Sequence, residues 1–370
     1  MTTVPLFDLA RQHADLRSEL AAAMARVLDS TRFVLGPEGE ALEAAVAALC
    51  GVRYAVGVGS GTDALRLALA ALGVGPGDEV ITPAFSFVAS SSTIVMAGAT
   101  PVFVDIEPET FTLDVAAVER ALTPRTRAIL PVHLYGHPAA MDRLAALARD
   151  RGVAIVEDAA QAIGAAWEGR PVGAWGDVAC LSFYPTKNLG ACGDGGMVVT
   201  DREDVAAHVR RLRHHGDAGR YRHVEIGYCS RLDELQAALL RVKLARLAEW
   251  TEARRRIVAR YRELLAGLPL TLPGERPQAR HVYHLFTVRH PQRDAFAKAL
   301  ADLGVGTAVH YPLPAPGQPL FADRYPGSER TWPESWRAAR EVLSLPCFAE
   351  LSEREVTAVA DAVRRACERL

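Results

Sequence analysis

The sequence lacks any apolar run approaching the roughly 18 residues that would span a bilayer. Its opening, MTTVPLFDLARQHADLRSEL, has no charged segment followed by a long apolar core. A cytoplasmic protein with no membrane partner is the expectation. An excess of either charge is missing too: 42 Lys and Arg against 44 Asp and Glu leave a formal net charge of −2. That balance makes no case for nucleic acid or an anionic membrane. The basic run Arg254, Arg255, Arg256 sits in an Arg-, Glu-, Ala- and Leu-rich segment and reads as a solvated helix face. Cysteine is scarce, with six scattered residues (Cys50, Cys180, Cys192, Cys229, Cys347, Cys367) and no CxxC pair. The spacing argues against zinc, so no metal is expected, and against a disulfide framework. Most of the six read as small buried apolar residues.

What is present is a chain of 370 residues, 49% hydrophobic and 23% charged, enough for one large domain and a smaller one. No internal repeat or low-complexity tract stands out. After two N-terminal stretches that read as helices, apolar runs alternate with helical segments. The runs are YAVGVGS (54–60), EVITPAFSF (79–87), TPVFVDI (100–106), RAILPVHLYG (127–136), VAIVED (153–158), VACLSF (178–183) and GMVVT (196–200). Such strands predict an α/β domain with a mostly parallel sheet of six or seven strands, covered on both faces. From about residue 230 the pattern turns to long helical stretches, then to the Pro-rich LPLTLPGERPQAR (268–280) and strand-like HVYHLFTVRH. A division into a large domain, 1–245, and a small α+β domain, 246–370, is expected.

Three stretches carry chemistry. In GVGSGTDALRLALAAL (57–72) a strand ends at Gly59 and a helix opens near Thr62, with Leu65, Leu69 and Leu72 on one face. Free N–H groups at such a start suit a phosphate, or the stretch is a plain tight turn. Its glycines miss the dinucleotide fingerprint, which would need glycine where Thr62 stands. In VAIVEDAAQAIG (153–164) a strand runs into Glu157 and Asp158, with Gln161 three residues on. Acids at the carboxyl end of a parallel strand face the ligand crevice, although Asp158 could equally cap a following helix. In LSFYPTKNLGACGDGG (181–196) a lone Lys187 stands five residues after Ser182 and before a glycine cluster. A desolvated lysine readily becomes a nucleophile toward aldehydes. Phosphate cradle, carboxylate and lysine, in that order, are what pyridoxal 5′-phosphate (PLP) requires.

These motifs, with FDLARQH, GDEVITPAFSFVAS, PVFVDIEPETF, SRLDELQAALL, HYPLP and SLPCFAELSE, make the chain resemble the DegT/DnrJ/EryC1/StrS sugar aminotransferases across nearly its whole length. The resemblance implies PLP fold type I: a three-layer α/β/α domain with a mostly parallel seven-stranded sheet, preceded by a helical arm. It implies that Lys187 forms the Schiff base, that Asp158 partners the pyridine nitrogen and that Gln161 approaches the phenolic oxygen. Gly61, Thr62 and Ser182 match phosphate-binding positions, and Phe87 matches the aromatic that stacks on the ring. His310 and Tyr311 match the start of a motif that contacts substrate or serves its loop.

Two positions depart from the family. Cys229 in GYCSRLDE stands where an Asn usually reaches the neighbouring subunit's cofactor phosphate; a thiol is a weaker donor, and water or Ser230 could substitute. Pro316 in HYPLPAPGQPLF stands where many relatives carry His. The implied activity is amino transfer from L-glutamate to a keto carbon of a nucleotide-linked, TDP-type deoxysugar, leaning to C-3. The implied assembly is a homodimer with shared active sites. A C-4 keto-sugar, a keto-cyclitol or a non-transaminating regulatory role is the alternative. A related sugar dehydratase would carry histidine at 187, and a cysteine desulfurase would need a nucleophilic cysteine on a mobile loop.

Overall fold

The computed structural model describes residues 3–370. Seven strands form the main sheet: β1 (Tyr54–Val58), β2 (Glu79–Pro83), β3 (Thr100–Val104), β4 (Thr126–Ile129), β5 (Ala154–Asp158), β6 (Val178–Ser182) and β7 (Gly196–Thr200). Their order is β1-β7-β6-β5-β4-β2-β3. Only β7 runs against its neighbours; the pairs from β6 to β3 are all parallel. The carboxyl ends of β1, β5 and β6 therefore share one edge of the sheet, and β7 starts at that same edge. Helices cover both faces, and the strands are buried almost throughout.

Two of the apolar runs are longer than their strands. Residues 79–87 leave the sheet at Pro83, and residues 127–136 leave it at Ile129. Pro131 has no N–H to continue the ladder, yet its carbonyl still accepts from Asp158 N at 2.9 Å. The chain then turns through Leu134–Gly136, where the backbone N–H of Tyr135 meets the side chain of Gln161.

Helix α1 (Leu9–Ser30) and helix α2 (Pro37–Cys50) form the N-terminal arm, and α3 (Gly61–Ala71) follows β1. The periodic stretch from Arg231 resolves into α4 (Glu234–Leu244) and α5 (Leu247–Leu264), and the domain boundary that we propose at residue 245 falls in the break between them. A second core lies beyond it. There α5 and α6 (Glu353–Cys367) pack on a two-stranded sheet, β8 (Phe286–Arg289) with β9 (Val342–Leu345), burying Tyr261, Phe286, Phe296 and Val359. The chain between these strands returns to the main sheet: Ala315, Phe321 and Trp332 pack on Ala84 and Phe103.

Two expectations need correction. Arg254 is buried, and its guanidinium donates to the carbonyls of Tyr283 and Cys347. Arg255 pairs with Glu275 at 2.8 Å, and only Arg256 is exposed. At about 100° per residue, three consecutive helical side chains cannot share a solvated face. Of the cysteines, Cys50, Cys180 and Cys347 are buried, Cys367 is half-buried, and Cys192 and Cys229 are exposed.

Helix α2 has glycine at its N-cap and no side-chain cap of its own. Glu234, 1% exposed, supplies one from α4, accepting from Gly36 N (2.9 Å), Glu38 N (2.8 Å) and Gly39 N (2.9 Å). An anion at a helix N-terminus is favourable, and these bonds tie the arm to the body. Glu234→Ala should lower stability in urea by about 2–3 kcal/mol, and Glu234→Gln by less, because its amide keeps one of the two acceptor oxygens that Ala removes.

Candidate active site

The shared strand edge opens into a cleft of about 500 Å³. Gly61, Thr62, Phe87, Asp158, Gln161, Ser182, Lys187, His310 and Tyr311 all line it. Neither of the two positions that depart from the family, Cys229 and Pro316, lines it.

At one end is an anion cradle. Ser60 caps α3, its Oγ accepting from Asp63 N at 3.1 Å. Among the described residues nothing in the chain accepts from the N–H groups of Gly61 or Thr62. A Cβ on Gly61 would lie 2.7 Å from Ser182 Cβ, and one on Gly196 would lie 2.3 Å from Ser60 O. Helix start, β6 end and β7 start thus converge so closely that two of them must be glycine. The Ser182 hydroxyl accepts from Tyr184 N at 3.3 Å and keeps its own hydrogen to give.

Asp158 ends β5 and is 5% exposed. No helix follows it, so the capping alternative falls; the chain enters a loop, and Asp158 Oδ1 accepts from Ala160 N at 3.2 Å. Ser90 Oγ donates to Oδ2 at 2.7 Å. Burial raises the pKa of this carboxyl, while the Ser90 and Ala160 bonds and the Lys187 charge pull it back. Each oxygen retains a lone pair for a further donor.

Lys187 stands on a tight loop. Its N–H donates to Tyr184 O at 2.8 Å, Ala191 N donates to Phe183 O at 2.8 Å, and the buried Lys243 Nζ donates to Gly190 O at 2.8 Å. Burial lowers the Lys187 pKa to about 8, with the Asp158 charge opposing the shift. Gln161 is held from both sides: Oε1 accepts from Tyr135 N at 2.6 Å, and Nε2 donates to Tyr311 Oη at 3.1 Å. Burial pushes the Tyr311 phenol up to about 12, so it stays neutral. Phe87 is 51% exposed, which rules out core packing, and its ring lies 5.7 Å from that of Tyr311. His310 Nδ1 lies 2.9 Å from Ser344 Oγ, and burial lowers its pKa to about 4.

Cys229 is exposed, and its Sγ accepts from Arg231 at 2.9 Å. Ser230 cannot stand in for the missing amide: it is buried, gives its hydrogen to Asp63 Oδ2 (2.8 Å) and accepts from Gly59 N (3.1 Å). Pro316 is buried in a turn away from the cleft. Phe7, Ser86, Tyr184, Asp194 and His284 also line the cleft; the first four lie inside the sequence motifs without being singled out by them, and only His284 arrives from a segment that carries no site motif. Together the lining fits an aromatic phosphate that bears a ring nitrogen and an aldehyde.

The amine's own chemistry is testable without any ligand. Acylation of Lys187 in the unloaded protein should show a midpoint near pH 8, against the ordinary lysine value of 10.5. Asp158→Asn should move it lower still, since the carboxylate favours the ammonium. Between these two pH values the unfolded chain holds the extra proton, so this group makes the fold more stable as pH rises through that window.

Against known proteins, residues 14–364 match the model of the DegT/DnrJ/EryC1/StrS aminotransferase family. The chain is 50% identical over 368 residues to the dTDP-3-amino-3,4,6-trideoxy-alpha-D-glucose transaminase of Streptomyces venezuelae, covering 99% of this chain and 97% of that one. It is 47% identical over 364 residues to the UDP-N-acetyl-3-dehydro-alpha-D-glucosamine 3-aminotransferase of Acidithiobacillus ferrooxidans, covering 98% of each. Among solved structures, S. venezuelae DesV superimposes with a TM-score of 0.97 at 49% identity, over 100% of both chains.

Proposed function

Because the chain belongs to the DegT/DnrJ/EryC1/StrS aminotransferase family and is a PLP-dependent sugar aminotransferase, we propose that it moves an amino group from L-glutamate to the C-3 keto carbon of a nucleotide-linked, dTDP-type deoxysugar. Support for C-3 comes from the two relatives above, one named for a 3-amino sugar and the other as a 3-aminotransferase of a 3-dehydro sugar. The observation that carries the reading is the lysine of lowered pKa facing a buried carboxylate, with an unfilled N–H cradle beside them.

Bound PLP supplies an aldehyde that captures amines and a ring that withdraws electrons from the attached carbon. Gly61, Thr62 and Ser182 would hold its phosphate, Lys187 its aldehyde carbon and Phe87 one face of its ring. Asp158 would keep the ring nitrogen protonated, and Gln161 would approach the phenolic oxygen. Lys187, once its amine is free, takes the proton from the α-carbon of glutamate; in the second half it returns one to the carbon of the sugar. One base on one face serves both halves. His310 and Tyr311 contact the sugar side. In a homodimer, Cys229 would face the partner's phosphate with its thiol already engaged by Arg231.

The protein with PLP should be yellow and should bleach on addition of L-glutamate. Lys187→Ala should lack the yellow band and lose about a thousandfold or more in turnover. The bleached enzyme should recover its colour with a 3-keto nucleotide sugar about ten times faster or more than with the 4-keto isomer. A yellow protein indifferent to glutamate would favour a non-transaminating role, and the reverse sugar preference would move the reading to C-4.

A further inference from the structure

One buried side chain in the cleft is used by nothing above. His284, 4% exposed, lies just before β8 and lines the cleft together with Lys187. Its Nδ1 is 3.3 Å from Oδ1 of Asn188, the residue next to that lysine. Asn188 Nδ2 donates to Val282 O at 3.0 Å, and a carbonyl can only accept, so the amide has one possible orientation. Its oxygen faces the imidazole, which makes Nδ1 the protonated nitrogen and leaves Nε2 with a bare lone pair.

Among the described residues, Nε2 makes no hydrogen bond within the chain, and neither does Lys187 Nζ. The groups that face the imidazole are Lys187, Arg254, His310 and His281; each disfavours a second proton on it, as does burial. The cleft therefore holds an amine without an acceptor and an acceptor without a donor, on side chains joined through Asn188.

We propose that His284 is a positioning residue for Lys187: its Nε2 accepts a hydrogen from the lysine amine whenever that amine is free, and so turns the amine's lone pair toward the carbon to be deprotonated. This rests on the reading of Lys187 as the base. No proton leaves the lysine for the histidine; the bond only orients.

Three variants test it. His284→Phe keeps bulk and removes both nitrogens. His284→Asn can keep the bond to Asn188 but offers nothing to the cleft. His284→Gln places an amide oxygen near the position of Nε2. All three should bind PLP and turn yellow. In a single turnover with L-glutamate, the Phe and Asn variants should bleach about 10- to 100-fold more slowly, with a larger isotope effect from α-deuterated glutamate, and Gln should recover most of the rate. In the unloaded protein the acylation midpoint of Lys187 should fall in the Phe and Asn variants and return in Gln, because an acceptor favours the ammonium. That second readout survives even if glutamate proves not to be the donor. Equal slowing in all three variants, or an unchanged midpoint in Phe and Asn, would overturn the proposal.

Discussion

The site depends on a carboxylate that never reaches it. Glu157, wholly buried, accepts from Gly173 N (3.0 Å), Trp175 N (3.0 Å), Gly176 N (2.8 Å) and His133 Nε2 (3.0 Å). Successive side chains on a strand point to opposite faces, so anchoring Glu157 behind the sheet obliges Asp158 to point into the cleft. The same clamp fixes the turn that leads into β6, and the parallel pairing of Asp158 with Cys180 sets the height of Ser182 relative to Asp158. Cradle and carboxylate are thus spaced by strand register. Register slips only by flipping every side chain across the sheet, so the spacing is stiff.

Around this frame the cleft keeps charge sparse. Asp158, Lys187 and Asp194 are its only charged side chains among the described residues. The histidines beside them are held neutral by burial and by neighbouring cations. A low-dielectric site with few charges lets each one count: the lysine stays near the point where its proton is easily lost, and the carboxyl stays responsive to any cation placed against it. The neutral phenol of Tyr311 and the amide of Gln161 add polarity without adding charge.

Much of this was legible in the sequence, for definite reasons. Strands buried on both faces write continuous apolar runs, so the sheet could be read, and the motifs around Gly61, Asp158 and Lys187 lie at strand ends where ligands gather. Strand limits at 83 and 129 were not legible, because the apolar run continues past the last ladder bond into buried loops. The inward turn of Arg254 was hidden because adjacent charges look alike in sequence and differ only in helical phase. His284 and the bond from Ser90 to Asp158 were invisible for another reason: His284 reaches the cleft, and Ser90 reaches Asp158, across segments distant in sequence, and tertiary contact leaves no spacing to read. The role open to Ser230 required knowing that Asp63 had already claimed its hydrogen.

The reversed strand β7 gives the lysine loop an unusual form of support. Because β7 enters the sheet at the edge where β6 leaves it, the segment from Ser182 to Gly196 is a closed hoop whose two ends meet at the same helix start. Lys187 rides on that hoop, cross-braced by Lys243 and by the Ala191–Phe183 bond. Grip on the phosphate and aim of the amine therefore belong to one mechanical part, and a change anywhere along the hoop must be felt at both.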